Sequence, residues 1–171
     1  MRHLPARILI RLALPAALLG LAACAPAPIY KSTGTVAAAT PAQVAQAPER
    51  YRNDEVIWGG RIVKVDVFSD HSEIELLAYP LDSSQRPRAN DSGNGRFIAV
   101  ARGYLEPLSY PAGALMTIDG KLDGTRAGKV GEADYVFPLV EVSQSHVWTP
   151  AEMSQGRSNI QFGLGVGVGI H

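Results

Sequence analysis

Few residues of this 171-residue chain could do chemistry, and their spacing narrows the choices. The chain has one cysteine, Cys24, in Leu21-Ala22-Ala23-Cys24. A lone cysteine forms no intrachain disulfide and completes neither a CxxC redox pair nor a Cys/His zinc set. His71 and His146 are the imidazoles of the central region, ahead of the terminal His171. Neither has a His, Cys or carboxylate at metal-ligand spacing, so both read as hydrogen-bonded or solvent-facing side chains. The carboxylates Asp119, Asp123, Glu132 and Asp134 stand among Lys121, Arg126 and Lys129. A glycosidase needs two carboxyls across a cleft, but mixed signs on neighbouring turns are more often a solvated rim. Gly93-Asn94-Gly95-Arg96 and the glycines from Gly120 to Gly131 show no GxGxxG or GxxxxGK spacing opening a helix, so no phosphate-cradling loop is expected. Trp58 beside Gly59-Gly60 could stack on a sugar or peptide, or fill the core where the glycines permit a bend. Trp58, Arg96 and Trp148 are the candidate binding residues. No catalytic residue, metal ligand or cofactor is expected.

The surroundings of Cys24 carry the most specific signal. Arg2, His3, Arg7 and Arg11 make a basic start, Leu12 to Leu19 an apolar run, and Ala22 and Ala23 a small-residue cleavage site, the three parts of a secretory signal. The apolar run is shorter than the ~20 residues a bilayer requires, and Pro15 interrupts it, which argues against a transmembrane helix. A cysteine directly after the small residues resembles a bacterial lipobox. That resemblance implies cleavage between Ala23 and Cys24 and acylation (palmitate) on the Cys24 sulfur. The alternative is an ordinary secretory signal with a chance cysteine. One acyl chain binds a membrane marginally, at about 0.8 kcal/mol per buried methylene, whereas two or more hold stably. Ala rather than Asp at position 25 favours the outer membrane, by resemblance to enterobacterial sorting rules.

Removing the signal peptide, residues 1–23, leaves one domain of ordinary size. It takes away Arg2, Arg7 and Arg11 and no carboxylate, so 13 basic residues face 16 acidic ones, a balance near −3. A nucleic-acid binder would carry a basic face instead. Arg86-Pro87-Arg88 is a short basic spot facing lipid headgroups at most, too small to carry binding.

Residues 24–48 read as the lipidated cysteine and a flexible tether rich in Ala, Pro, Thr and Gln, with only Lys31 charged. Such a stretch buries too little apolar surface to offset its ordering entropy, and as a coil it holds the domain roughly 30 Å from the lipid. The β-domain spans 49–149. Val56, Trp58 and Ile62 share one parity and Val63, Val65 and Val67 the other, which predicts a bulge or bend near Gly59-Gly60-Arg61. Further strands are expected over Glu73–Leu81, Arg96–Tyr104, Met116–Leu122 and Tyr135–Ser143. Asp70-His71 forms a tight turn, and residues 82–95 form a polar, mobile loop. The expected fold is all-β, a small five- to six-stranded barrel of oligonucleotide/oligosaccharide-binding (OB) type or a closely related sandwich. The usual helix between strands three and four would fall on the short, proline-rich Leu105–Pro111.

The stretch from Pro48 to Trp148 resembles the Slp family, the starvation-inducible outer-membrane lipoproteins of Gram-negative bacteria. The resemblance rests on Val56-Ile57-Trp58-Gly59-Gly60, Glu73-Ile74-Glu75, Tyr79-Pro80-Leu81-Asp82 and Gly95-Arg96-Phe97-Ile98-Ala99. It continues through Gly103-Tyr104-Leu105-Glu106-Pro107, Gly113 to Gly120, Gly128-Lys129-Val130-Gly131-Glu132, Tyr135-Val136-Phe137-Pro138 and His146-Val147-Trp148. It implies a non-enzymatic lipoprotein anchored in the outer membrane, on the periplasmic leaflet, with a binding or structural role in the envelope or under stress. Only Cys24 carries over as a family site. The alternative is a hydrolase or carbohydrate-binding protein acting on cell-wall or surface glycans.

The tail, residues 150–171, ends in Phe162-Gly-Leu164-Gly-Val166-Gly-Val168-Gly-Ile170, where every second residue is apolar. Period 2 reads as an extended strand. It could pair with the domain's own sheet edge or with an envelope protein by strand addition, or stay a loose tail.

Overall fold

The computed structural model describes residues 27–31 and 35–154. Cys24, the signal segment and the glycine-alternating tail lie outside the described residues. Five strands form the body: β1 (Glu55–Val67), β2 (His71–Tyr79), β3 (Arg96–Arg102), β4 (Leu115–Val130) and β5 (Ala133–Trp148). They close into a barrel in the order β1-β2-β3-β5-β4, with β1 pairing back onto β4. All pairings are antiparallel except β3 with β5, which run parallel where Ile98–Val100 meet Leu139–Glu141. This is the five-stranded OB-like barrel expected from the sequence, not the sandwich.

Alternation builds the interior. Val56, Trp58 and Ile62 of β1, Ile74, Leu76 and Ala78 of β2, and Phe97 and Ala99 of β3 all bury inward with Met116, Ile118, Leu122 and Val140. The Trp58 and Phe97 rings meet edge to face, 5.1 Å between centroids. β1 serves both halves of the barrel, pairing with β4 over Glu55–Arg61 and with β2 from Gly59 to Val67. Its irregularity falls two residues beyond the expected Gly59-Gly60-Arg61, at Val63, the extra residue between the Ile62–Leu76 and Lys64–Glu75 pairs. The glycines act by close approach instead. A Cβ on Gly60 would stand 2.2 Å from the Leu77 carbonyl oxygen.

β4 and β5 run well past the expected strands. Beyond Leu122 they leave the barrel as a two-stranded ribbon that turns at Gly131-Glu132. Gly124, at φ +81°, sits in the bulge between Leu122 and Thr125. Much of the ribbon is open to water on both faces, so it lacks the apolar alternation that marks a strand in sequence. The link between β3 and β4 holds only a 3-10 turn, Pro107–Ser109, while Leu105 and Tyr110 pack against the core.

The expected flexible tether needs correction over its described part. Val36 bridges to Glu55, and the Ala39 carbonyl accepts the Trp58 indole N–H at 2.8 Å. Residues Pro41–Gln46 form a short helix, α1, with Thr40 as N-cap in a capping box with Gln43. Val44 on α1 is buried among the barrel core residues. Further up, Tyr30 is buried, and its hydroxyl donates to the Thr117 carbonyl at 3.3 Å. A few apolar side chains suffice to seat the segment even though its average composition is that of a linker. The 82–95 loop is likewise held: Leu81 bridges Pro87, Ser84 is buried, and the Gln85 carbonyl accepts the Thr117 hydroxyl at 2.7 Å. A second short helix, α2 (Pro150–Ser154), opens the C-terminal segment and receives the Arg86 guanidinium on the Glu152 carbonyl.

Candidate functional site

The outward face of β1, β2 and β3 is a floor of alternating charge. After the Val63 bulge, Lys64 and Asp66 pair across from Glu75 and Glu73, and Arg96, Ile98, Val100 and Arg102 continue the face on β3. The β4–β5 ribbon overhangs this floor. Between them lie two adjoining clefts, of about 290 and 420 Å³. Both are lined by Glu73 and Arg126, whose ion pair stands where they meet. In OB-type barrels the strand 2–3 face, flanked by the first hairpin turn and the strand 4–5 loop, is where ligands lie.

Glu73 is only 5% exposed. Its two carboxylate oxygens each accept a hydrogen bond of 2.7 Å from the Arg126 guanidinium, the two-pronged geometry favoured between arginine and carboxylate. His71 adds a ring nitrogen 3.2 Å from Glu73 Oε1, while its Nδ1 lies 2.8 Å from Asp70. Phe68 stacks on the imidazole, with centroids 4.6 Å apart. Hydrogen bonds from Arg126 hold the Glu73 carboxyl below the usual carboxylate range, against burial, which acts the other way. The hydrogen bond to Asp70, aided by Glu73, lifts the His71 imidazole above its ordinary value. The other cations of the floor are also matched. Lys64 meets Asp66 at 2.6 Å, Arg96 meets Glu75 at 2.6 Å, and Arg102 pairs with Glu141. A polyanion would have to displace a carboxylate at each of these positions.

The three candidate binding residues occupy three separate places. Trp58 is in the core, its indole N–H given to Ala39, with only an edge toward a cleft of about 210 Å³ beside residues 37–41. Trp148 is buried at the end of β5 and donates to the Thr117 hydroxyl at 2.9 Å. Arg96 is on the same strand face as the groove floor but lines neither cleft; it reaches the groove through its ion pair with Glu75, and its backbone N–H donates to the Tyr135 hydroxyl at 2.7 Å. The four carboxylates between β4 and β5 also disperse. Asp123 lines the larger cleft, while Glu132 and Asp134 are exposed at the ribbon tip. Asp119 is buried on another wall, where burial and then Glu55 push its carboxyl up, and its Oδ1 has no partner among the described residues. His146 meets the Trp148 ring edge-on and lies 3.1 Å from Glu152. Among the described residues, no three His, Cys, Asp or Glu side chains converge as a metal site.

Sequence reasoning missed the Glu73–Arg126 pair, whose members lie 53 residues apart. The available signal was the charge alternation on the two strands joined by the Asp70-His71 turn, which marks a polar face needing partners from elsewhere in the chain.

Comparison with known proteins places the chain. The model of the outer membrane lipoprotein Slp family matches residues 21–163. An uncharacterized protein of Haemophilus influenzae is 36% identical over 92 residues, 53% of this chain and 50% of that one. The uncharacterized lipoprotein YeaY of Escherichia coli K12 is 32% identical over 106 residues, covering 62% and 54%. Outer membrane protein Slp of the same organism is 27% identical over 119 residues, covering 69% and 63%. The chain thus spans between half and just under two thirds of the length of these curated relatives. Among solved structures, a small single-stranded DNA-binding protein from Streptomyces coelicolor aligns at TM-score 0.38 and 13% identity, over 56% of this chain and 94% of that one. A putative aspartyl-tRNA synthetase from Leishmania major Friedlin aligns at 0.41 and 12%, over 79% and 26%. With a family match over most of its length, the chain belongs to the Slp family of outer membrane lipoproteins.

Proposed function

We propose that the mature chain is a non-enzymatic lipoprotein, acylated on Cys24 after cleavage behind Ala23, held on the periplasmic leaflet of the outer membrane, and binding a polar envelope component in the groove beneath the ribbon. The observation that carries the binding half is the internally neutralised groove. Its cations are matched by carboxylates, so it offers paired donors and acceptors to a neutral or zwitterionic ligand. Family membership and the lipobox pattern support the anchor. Two of the groove's carboxyls are unsuited to the acid step that the glycan-hydrolase reading requires. An acid catalyst needs a carboxyl kept protonated near neutrality, whereas the Asp70 and Glu73 carboxyls are both pushed down, by His71 and Arg126 respectively. Strand addition by an envelope protein would need an open strand edge. Past Lys121, β4 pairs only with β5, and before Leu139, β5 pairs only with β4, so the ribbon offers such edges, as does β1 beyond Arg61, which pairs only with β2.

Fractionation tests the anchor: Cys24→Ser should move the protein from outer membranes to the soluble periplasm, and retention would sink the lipoprotein reading. A photo-crosslinker at Val100, on the groove floor, should capture an envelope component in cells, and charge reversal at Arg102 should abolish the adduct. An adduct that survives that reversal would remove the groove from the binding reading.

A further inference from the structure

On β4, Met116, Ile118 and Leu122 point into the barrel, so Thr117 and Asp119 between them face outward, yet they are 0% and 6% exposed. An outward residue of a barrel wall is buried only if something lies over the wall. Here the N-terminal segment is fastened to either side of Asp119. On one side Tyr30 is held. Its hydroxyl donates to the Thr117 carbonyl at 3.3 Å, its backbone N–H donates to Gln85 Oε1 at 2.8 Å, and the Gln85 amide donates back to its carbonyl at 3.1 Å. On the other side Ala37 N–H donates to the Glu55 carbonyl at 2.8 Å, and Glu55 stands in register with Lys121. Asp119 gains little from this cover. Its Oδ1 has no partner among the described residues, and its Oδ2 receives the Gln144 amide at 3.5 Å, the outer limit of a hydrogen bond.

The surrounding groups do not repair this. From β1, Glu55 brings a second carboxylate, and Ile57 lies directly opposite. From β5 come Gln144 and, opposite Thr117, His146, whose imidazole lies 3.1 Å from Glu152. The N-terminal segment and the β3–β4 link bring the Tyr30 and Tyr110 phenols. Lys121, the next outward residue of β4, and Lys31 are exposed to water. Burial and then Glu55 push the Asp119 carboxyl up, and burial and then Asp119 push the Tyr30 phenol up to about 12. A buried carboxylate without a partner must shed its charge or regain water. We propose that Asp119 is a proton-operated latch on the N-terminal segment, its protonation tightening the seat of Tyr30 on the barrel wall and its ionisation loosening it. The sign follows from the raised carboxyl. Seating is strongest below about pH 3.9, the ordinary aspartate value. It weakens as pH rises through the raised value and stays weak above it. Resting on the lipid anchor under Proposed function, the latch also sets the leash. Six peptide steps lead from Cys24 to Tyr30, at most ~22 Å of extended chain, whereas thirteen lead to Ala37, the next point held, at most ~47 Å.

Amide hydrogen exchange on the full mature chain, from pH 4.5 to 7.5, reads the latch at the Tyr30 N–H, which is bonded only while the segment is seated. Its protection factor should fall several-fold across that range, while the amides of β2 and β3 keep theirs. Asp119→Asn should hold Tyr30 protected at both ends of the range, above the parent at pH 7.5. Glu55→Gln removes the second charge and leaves the burial, so it should shrink the drop without abolishing it. A parent whose Tyr30 protection does not change with pH would overturn the proposal, as would an Asp119→Asn profile that falls as steeply as the parent's. Loss of protection at β2 and β3 in step with Tyr30 would also overturn it, because the whole barrel would then be opening. If Asp119→Asn does not fold, Glu55→Gln carries the test, and an undiminished drop there overturns the latch. The anchor is read separately: Cys24→Ser moves the protein between fractions and should leave the Tyr30 profile as it is.

Discussion

Arg126→Ala is the sharpest perturbation of the groove. Glu73 is almost wholly buried and depends on two 2.7 Å hydrogen bonds from that guanidinium. Removing one member of a buried ion pair costs about 3–5 kcal/mol because the other charge is left without a partner. Arg126 is itself about half exposed, and His71 still faces Glu73 at 3.2 Å, so both water and imidazole soften the loss. The charge-assisted hydrogen-bond scale then sets the cost at about 2 kcal/mol. For a domain of this size that lowers the melting temperature by roughly 6–8 °C. Thermal and urea melts at pH 7 measure it. The double replacement Glu73→Leu with Arg126→Leu removes both charges and should recover most of the loss, leaving under about 1 kcal/mol.

The pH profile adds a second reading of the same pair. The Glu73 carboxyl is held below its unfolded-state value, so its stabilisation is present above about pH 4.3 and is lost as pH falls through the depressed folded value. The gap between the parent and Arg126→Ala is therefore full at neutrality and closes in acid. A single variant melting within about 1 °C of the parent at pH 7 would refute the reasoning. So would a double variant no more stable than the single.

Other positions test other parts of the fold. Gly60→Ala drives a Cβ into the Leu77 carbonyl and should cost about 3 kcal/mol in urea melts. Gly124→Ala, with open space but φ +81°, should cost only about 1–2 kcal/mol, and equal losses would contradict the close-approach role of Gly60. His71 is raised above its ordinary value, so what Asp70 and Glu73 contribute through it is fully present below about pH 6.5 and fades as pH rises through the raised value. His71→Gln should therefore melt below the parent at pH 6 and converge with it toward pH 8.5, and its imidazole should titrate above the ordinary range by NMR in the parent. Val44→Ala should lower stability by about 2 kcal/mol, whereas a segment that is only a tether would leave the melt unchanged.

Burial decides what could be read in advance. Val56 with Trp58, Ile74 with Leu76, and Met116 with Ile118 alternate because one side of each strand faces a closed interior, and that period is visible in the residues alone. The ribbon beyond Leu122 has much of both faces in water, so nothing selects apolar residues at every second position there, and Gly124 and Gly128 dilute what remains. The N-terminal segment was obscured differently. Its average composition is that of a linker, yet Thr40-Pro41-Ala42-Gln43 carries a local helix start, with an N-cap, a proline at the first turn and a capping-box glutamine. Composition outweighed that four-residue signal. The groove was least legible, because Glu73 and Arg126 meet only after the barrel has closed and the ribbon has bent back over β2.

Phe68 closes one end of the groove. It lines the smaller cleft, stacks on His71 and is half open to solvent. Under the proposed lipid anchor, the seating of the N-terminal segment shortens the free chain between barrel and membrane. With the flexible tether first expected, a barrel about 30 Å away would tumble and offer its groove in every direction. Seating Tyr30, Ala39 and Val44 removes most of that freedom. Binding at the groove then inherits the barrel's orientation without paying for it again at each encounter, which favours a ligand fixed at or near the membrane surface over one diffusing in the periplasm.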